Sequence, residues 1–342
     1  MTTLVEQRSG TAAATKTARR WFLARELSIL AALVLLVGVT AVTNPRFLSA
    51  QSIKDLLLSS TILAITAVGQ AVVIITRNVD LSVGSVLGLA AFATGSLFLA
   101  APGLPIPVAI LVATALGAVC GAVNGALIAA ARVPALVVTL GTLYVFRGID
   151  YTWAGGKQIN AADMPDGLLR MGTASVLGVP VLTLFAVSIV VVAGFVLRSY
   201  RSGRDLYAIG SDPEAARLSG LPVGRRVFFA FVTSGALAGL AGALYAARFG
   251  TIDANAGVNS ELNVVAAVVV GGVAIFGGSG SVYGAALGAV LLTTIGAALP
   301  VLGVNPFWQR AAVGALILLA IGLDRALAVR VADRLKGRRA RA

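Results

Sequence analysis

Ten apolar stretches, at 27–43, 52–76, 81–101, 106–131, 135–149, 176–197, 227–247, 262–276, 282–299 and 307–324, occupy most of this 342-residue chain. A helix needs about 20 such residues to cross the hydrocarbon of a bilayer. In lipid, only helices and closed barrels satisfy their own backbone polar groups. The stretches therefore predict an all-α polytopic membrane protein with about ten transmembrane helices. Composition agrees: 58% of residues are hydrophobic and 12% charged, where a soluble domain carries about a quarter charged. Disorder and an ordinary soluble enzyme are excluded. The eighth and ninth stretches are short, and the Gly-rich break between them fits a re-entrant or broken helix.

The charges orient the chain. With the N-terminus inside, the inner segments collect 20 of the 27 Lys and Arg, notably in the N-terminal tail, the loop 198–226 and the tail from Arg325 onward. Seven remain outside: Arg46, Lys54, Arg147, Lys157, Arg170, Arg248 and Arg310. This bias predicts both termini in the cytoplasm. The expected organisation is a cytoplasmic tail over 1–26, a transmembrane domain over 27–325 with a cytoplasmic loop at 198–226, and a basic cytoplasmic tail over 326–342. The polar lead is long and no small-residue cleavage site follows it, so it reads as a tail rather than a signal peptide. The net charge of +13 reads as topology and attraction to anionic membrane lipid, not to nucleic acid.

Much chemistry is ruled out. The chain has one cysteine, Cys120, and no histidine, so no internal disulfide, Cys/His metal site or His-dependent catalytic triad is expected. Cys120 reads as a small packing residue. The run from Gly10 to Thr17 nearly spells a phosphate-binding loop, but Thr15 stands where its second glycine belongs. Gly278-Ser279-Gly280 reads as a packing turn. No catalytic residue, cofactor or metal is expected, and any ATP must be used by another polypeptide. All fourteen Asp and Glu fall in tails, loops or expected span ends, with Asp80, Glu261 and Asp324 nearest the interior. An intramembrane carboxylate is the usual mark of ion coupling, so this distribution speaks against it.

The loop 198–226 carries the positive signal. Asp212 suits an N-cap, Pro213 the first helical position, Glu214 the positive end of the helix dipole, and Gly220 the stop. About two turns lie between them, too short to hold in water without support. Alone, this could be a connector. Glu214-Ala215-Ala216 followed by Gly220 resembles the coupling loop of ABC-importer permeases. Arg77-Asn78-Val79-Asp80-Leu81-Ser82-Val83-Gly84 resembles the signature between the second and third spans of ribose-type sugar permeases. The stretch 266–272, continuing through 276–282, is similar to their Gly-rich late segment.

The resemblance covers about 28–325. It implies a permease subunit in the bacterial cytoplasmic (inner) membrane that passes a monosaccharide inward by alternating access. The cargo would be a deoxyhexose such as rhamnose, a pentose such as ribose, or a furanose-like autoinducer. Arg147-Gly148-Ile149 and Trp153-Ala154-Gly155-Gly156-Lys157 are similar to permeases for the first and last of these. Implied partners are ABC ATPase subunits, an extracytoplasmic sugar-binding protein and a second permease subunit, identical or related. Docking of the ATPase would fall to Asp212, Pro213, Glu214, Ala215, Ala216, Arg217, Leu218 and Gly220. A branched-chain amino-acid ABC permease and an ion-coupled secondary transporter are the alternatives.

Uncharged polar residues within the stretches, Gln70, Asn124, Thr139, Thr142 and Asn263, are candidates for the substrate pathway. Each could equally make an interhelical hydrogen bond. Asn78, Asp80 and Ser82 are candidates for a cytoplasmic gate or a helix cap, with Asp80 capping the third span. Tyr151 and Trp153 in the outer loop 150–175 suit binding-protein contact or interface anchoring. Glycines spaced by four mark expected close helix contacts: Gly117, Gly121 and Gly125; Gly235 and Gly239; Gly84 and Gly88; Gly284 and Gly288. The likeness of Ser82-Val83-Gly84 to Ser281-Val282-Tyr283-Gly284 fits either an internal repeat or ordinary small-residue packing.

Overall fold

A computed structural model describes residues 26–131, 133–319 and 322. The expected tails (Glu26 apart), the run from Gly10 to Thr17, Arg132 and Asp324 lie outside the described residues. Among the described residues thirteen α-helices follow one another: α1 (Glu26–Thr43), α2 (Ala50–Ile75), α3 (Val83–Ala100), α4 (Ile106–Ala131) and α5 (Ala135–Ala154). Then come α6 (Asp166–Thr173), α7 (Val181–Ser199), α8 (Arg201–Ser211), α9 (Pro213–Leu218) and α10 (Val223–Phe249). The last are α11 (Ser260–Val270), α12 (Val282–Val301) and α13 (Trp308–Leu319). A two-residue hairpin, β1 (Ser175–Val176) with β2 (Val179–Pro180), precedes α7.

Each predicted apolar stretch holds a helix. Among the described residues seven helices (α1, α2, α3, α4, α7, α10 and α12) are long and apolar enough to cross a membrane. The all-helical, polytopic class stands. Helix α5 is 20 residues long but carries Arg147 and Asp150 within it. It runs to Ala154, past the predicted 149, and ends where Gly155 turns left-handed at φ +55°. Residues 176–180 form the hairpin rather than helix, and α7 begins after Pro180. Helix α11 stops at Val270, short of the predicted 276, because Gly271 and Gly272 close it.

Small side chains decide the packing. Helix α2 runs through the centre, and its inner half, rich in alanine and valine, is buried almost without interruption. Helices α4 and α10 cross backbone to backbone. A Cβ on Gly117 would collide with the Gly235 carbonyl and lie 2.8 Å from Gly239 Cα, and one on Gly235 would collide with the Gly117 carbonyl. Gly284 and Gly288 of α12 meet Gly271, just past the end of α11, and Ala267 of α11 in the same manner. The glycine spacings predicted contacts: those of α4, α10 and α12 fall at these two crossings, and Gly84 and Gly88 of α3 meet the segment 256–261 instead.

Two connections fold back into the bundle. Helix α2 ends at Ile75, whose carbonyl accepts from Gly278 N at 3.0 Å and abuts Gly210 of α8. Arg77 then takes a left-handed φ of +71°, and the chain turns inward so that Asp80 and Ser82 lie beside Gln70 and Ser234. Gln70 sits five residues before Ile75, so the return covers about 8 Å at 1.5 Å per helical residue. At the opposite end, α10 stops at Gly250 (φ +64°). The segment after it runs along α3: Ile252 faces Gly95, the Ala256 carbonyl faces Gly88, and Gly257 faces Gly84. That is a descent of about 16 Å. The N-termini of α3 and α11 therefore meet inside the bundle, where a Cβ on Gly84 would lie 2.6 Å from Glu261 Oε2. The re-entrant segment on this strand of the chain is 250–259, upstream of the predicted Gly-rich break.

Candidate functional site

The first fold-back is held by a buried polar network. Asp80 Oδ1 accepts from Ser82 N at 2.9 Å and from Ser82 Oγ at 2.6 Å, and Oδ2 accepts from Ser234 Oγ at 3.0 Å. Asn124 Nδ2 donates to Ser82 Oγ at 2.8 Å. The Gln70 carboxamide, oriented to satisfy both its ends, donates to Asp80 O at 3.1 Å and accepts from Asp80 N at 3.2 Å. Thr139 Oγ1 reaches Val79 O at 3.2 Å while also bonding Ala135 O. Four helices and the returning segment thus converge on one point.

The expected capping of α3 by Asp80 is not direct: Ser82 is the N-cap and its side chain makes no capping bond, while the Asp80 carboxyl accepts from Ser82 N just ahead of the helix, where negative charge is favoured. Its placement at a boundary is corrected: the residue is buried in the bundle, 1% exposed. The Asn78 side chain turns back onto Thr76, bonding its carbonyl and its hydroxyl. Thr142 turns back onto the Thr139 carbonyl. Asn263 stands apart, in a cavity of about 620 Å³ that Thr66, Arg248, Thr293 and Gln309 also line. Of the sequence candidates, Gln70, Asp80, Ser82, Asn124 and Thr139 come together; Asn78, Thr142 and Asn263 do not join them.

The second fold-back is held by Arg147 of α5. Its Nη1 donates to Ala254 O at 2.9 Å and Ala256 O at 2.8 Å, and its Nη2 to Gly84 O at 3.1 Å. Asp150 Oδ2 lies 3.5 Å from Nη1, and among the described residues neither oxygen of this buried carboxyl has a hydrogen-bond donor. One guanidinium therefore ties α5, the start of α3 and the segment before α11. The expectation that every carboxylate lies in a tail, loop or span end is overturned by Asp80 and Asp150. Both sit inside, one beside a helix N-terminus, the other beside Arg147. Ser234 and the Arg147–Asp150 pair are the residues that sequence reasoning missed. An arginine within an apolar run was the available signal, since a charge there needs a buried partner.

The short helix α9 matches its sequence signature. Asp212 Oδ1 accepts from Glu214 N and Ala215 N at 3.0 and 3.1 Å, Pro213 opens the helix, and Gly220 turns at φ +78°. It is six residues long, nearer one and a half turns than two. Ala216 is buried against the neighbouring helices, while Leu218 is 90% exposed. Glu214 and Arg217 pair at 2.7 Å on the exposed side. The preceding helix α8 is seated on the end of α2. Gly210 fits against the Ile75 carbonyl, Ser211 against Gly278, and Tyr207 Oη donates to Gly280 O at 3.1 Å. Burial pushes the Tyr207 phenol up to about 12, so it stays a neutral donor. Among the described residues, no group of three His, Cys, Asp or Glu could hold a metal.

This geometry suits mechanical transmission: an exposed knob on α8, α8 on the end of α2, and α2 leading straight into the latched segment. Comparison with known proteins agrees. The profile of a family described as "Branched-chain amino acid transport system / permease component" matches residues 52–321. This chain belongs to that family. It is 39% identical over 300 residues to an autoinducer 2 import system permease protein of Enterobacter sp. (strain 638), covering 88% of this chain and 86% of the relative. The counterpart of Klebsiella pneumoniae is 38% identical over 300 residues, again covering 88% and 86%. That of Escherichia coli is 36% identical over 297 residues, covering 87% and 85%. No solved structure matches the chain significantly.

The family fixes the broad role. The chain is a permease subunit of an ABC importer, a multi-pass protein of the inner membrane and not an enzyme. ATP hydrolysis resides on a separate ATPase subunit, and a binding protein belongs to the system. The ion-coupled alternative is removed by the family, not by the carboxylates, whose burial would have left it open.

Proposed function

We propose that this permease imports autoinducer 2 or a closely related furanose-like sugar, by alternating access driven from α9. Identity of 36–39% to autoinducer 2 permeases over almost the whole chain supports the cargo. The coupling role rests on one observation: a capped helix whose Ala216 is anchored and whose Leu218 stands free. Asp212 to Leu218, with Gly220, form the docking knob for the ATPase. Its displacement passes through α8 to the end of α2 and so to the segment held by Gln70, Asp80, Ser82 and Asn124. These residues act as a latch between outward- and inward-open states, with Thr142 and Asn263 bordering the path.

The same reading gives ten membrane helices, with α5, α11 and α13 joining the seven that are long and apolar enough to span, and both termini in the cytoplasm. The transmembrane domain covers 27–325 and carries the coupling loop 198–226, with cytoplasmic tails at 1–26 and 326–342. The functional unit contains a second permease subunit, two ATPase subunits and an extracytoplasmic sugar-binding protein.

Uptake into proteoliposomes holding the complete complex tests the cargo. Labelled autoinducer 2 should accumulate when ATP is enclosed, and excess rhamnose or ribose should compete weakly. Competition by leucine and not by sugar would replace this reading with an amino-acid permease. Cysteines placed at Ser211 and Pro300 should label from opposite sides of the membrane; labelling from one side would overturn the topology.

A further inference from the structure

Between α7, α8 and α10 lies a slot of about 660 Å³ that the transport path described above does not use. On α10 it runs from Arg226 to Leu240, about 21 Å at 1.5 Å per residue. Half of a bilayer's hydrocarbon is about 15 Å. The slot therefore begins at the α9 end and spans one leaflet. Its long side is open, flanked by the exposed side chains of Val192 and Phe229.

Its two ends differ in chemistry. The hydroxyls within the slot are already spent: Ser188 Oγ donates to Leu184 O at 2.8 Å, and Thr233 Oγ1 to Phe229 O at 2.8 Å. The body thus offers nothing to a polar solute, and water entering it would lack partners. Left empty, it would forfeit dispersion contacts along its whole wall. At the α9 end the lining changes to Ser202 and Arg226. Arg226 spends Nε and Nη2 on the Asp205 carboxylate, at 3.0 and 2.7 Å. A guanidinium carries five N–H donors, so the two on Nη1 are not used in this pair. Arg201, beside Ser202, and Arg225, stacked 5.8 Å over the Phe229 ring, add two exposed positive charges at the mouth.

We infer that this slot is a binding site for an anionic phospholipid of the cytoplasmic leaflet, one acyl chain lying between α7 and α10 and the phosphate at Arg201, Arg225 and Arg226. Its leaflet rests on the proposed topology; the lipid's chemistry rests on the slot alone. The site lies beneath α8, so its occupant braces the helix that carries α9.

Native mass spectrometry of the full-length chain, titrated with phosphatidylglycerol and phosphatidylcholine, tests this. The wild type should hold one phosphatidylglycerol in preference to phosphatidylcholine. A cationic residue near an anionic headgroup contributes about 1 kcal/mol, so R201Q and R225Q should each lower that preference about fivefold. Arg226 is left intact because Asp205 depends on it. A193F, which fills the slot, should lose both lipids, and V192F, at an exposed position of the same wall, repeats the block where folding is not at stake. Equal retention of the two lipids by the wild type would overturn the inference, as would undiminished phosphatidylglycerol on V192F. Neither outcome bears on sugar uptake, so the transport reading is judged separately.

Discussion

Gln70 and Asp80, ten residues apart, lie side by side because the chain reverses between them, and the Gln70 carboxamide closes a two-bond clamp on the Asp80 backbone at 3.1 and 3.2 Å. A returning segment has no helix or sheet to satisfy its N–H and C=O groups, and in a bundle no water replaces them. The side chain stands in for a strand. Substituting Q70A should leave both groups buried and unpaired, at about 1–3 kcal/mol each. Hydrogen exchange over 77–84 should then rise at least about tenfold, one decade per 1.4 kcal/mol. Unchanged exchange would mean that the clamp is not what holds the segment.

Asp80 separates hydrogen bonding from charge. In D80N, Oδ1 still accepts from Ser82, and the new amide donor faces Ser234 Oγ, which can rotate to accept. D80A leaves three buried donors unpaired, at about 1–3 kcal/mol each. D80N should therefore melt close to the wild type while D80A falls well below it. Uptake by D80N decides the rest. Transport near wild-type level makes the latch a hydrogen-bonding device, and its loss at full stability would require the charged carboxylate.

How much of this was legible in the sequence follows from which physics is local. Apolar length predicted a helix in each of the ten stretches, and Asp212, Pro213 and Gly220 announced α9, because span and cap signals lie within a few residues of each other; the short, polar α6 and α8 carry no such signal and were not predicted. The polar network was legible only in part. Gln70, Asn124 and Thr139 stood out as amides and hydroxyls in apolar runs, yet their convergence depends on the reversal at Arg77, a non-glycine residue at φ +71°. Ser234 joins Asp80 across 154 positions, and nothing around it distinguishes it from other helical serines. Asp80 and Asp150 were misplaced because their neighbours in sequence look like span ends. What buries them is the tertiary fold-back.

The α4–α10 crossing is a steric prediction. A methyl at Gly235 meets backbone atoms, including Gly121 Cα at 2.8 Å, and backbone cannot rotate aside. G235A should separate the helices and destabilise by about 1–3 kcal/mol. G148A is the control: it also sits mid-helix, with nothing within 4 Å, and should be neutral or stabilising by up to about 1 kcal/mol. Melting temperatures of the two variants in detergent make the comparison. Equal effects would show that helix propensity, not close approach, governs both sites.

At α9, folding and docking can be parted. Leu218 is too exposed to stabilise the permease, so L218R should leave its melting temperature within a degree or so of wild type, as surface changes usually lie within about 0.5 kcal/mol. It should nonetheless abolish ATP-driven uptake and lower ATPase retention on purification. E214K and G220V should uncouple hydrolysis from uptake, the second by forcing a β-branched residue into a left-handed turn. Full transport by all three would remove α9 from the coupling path.

Arg147 and Asp150 make the most demanding case, because their energies should not add. Removing Arg147 frees the carbonyls of Gly84, Ala254 and Ala256 and leaves a buried carboxyl without its counter-charge. Breaking one side of a buried pair costs about 3–5 kcal/mol. D150N removes the charge but leaves Arg147 its three carbonyl acceptors, so its cost should be much smaller. In R147M/D150N no isolated charge remains, and the double variant should regain part of what R147M loses, a coupling of about 0.5–3 kcal/mol. Unfolding of the four proteins closes the cycle. If the double variant is worse than R147M by the full cost of D150N, the pair is not coupled, and Arg147 acts on the three carbonyls alone.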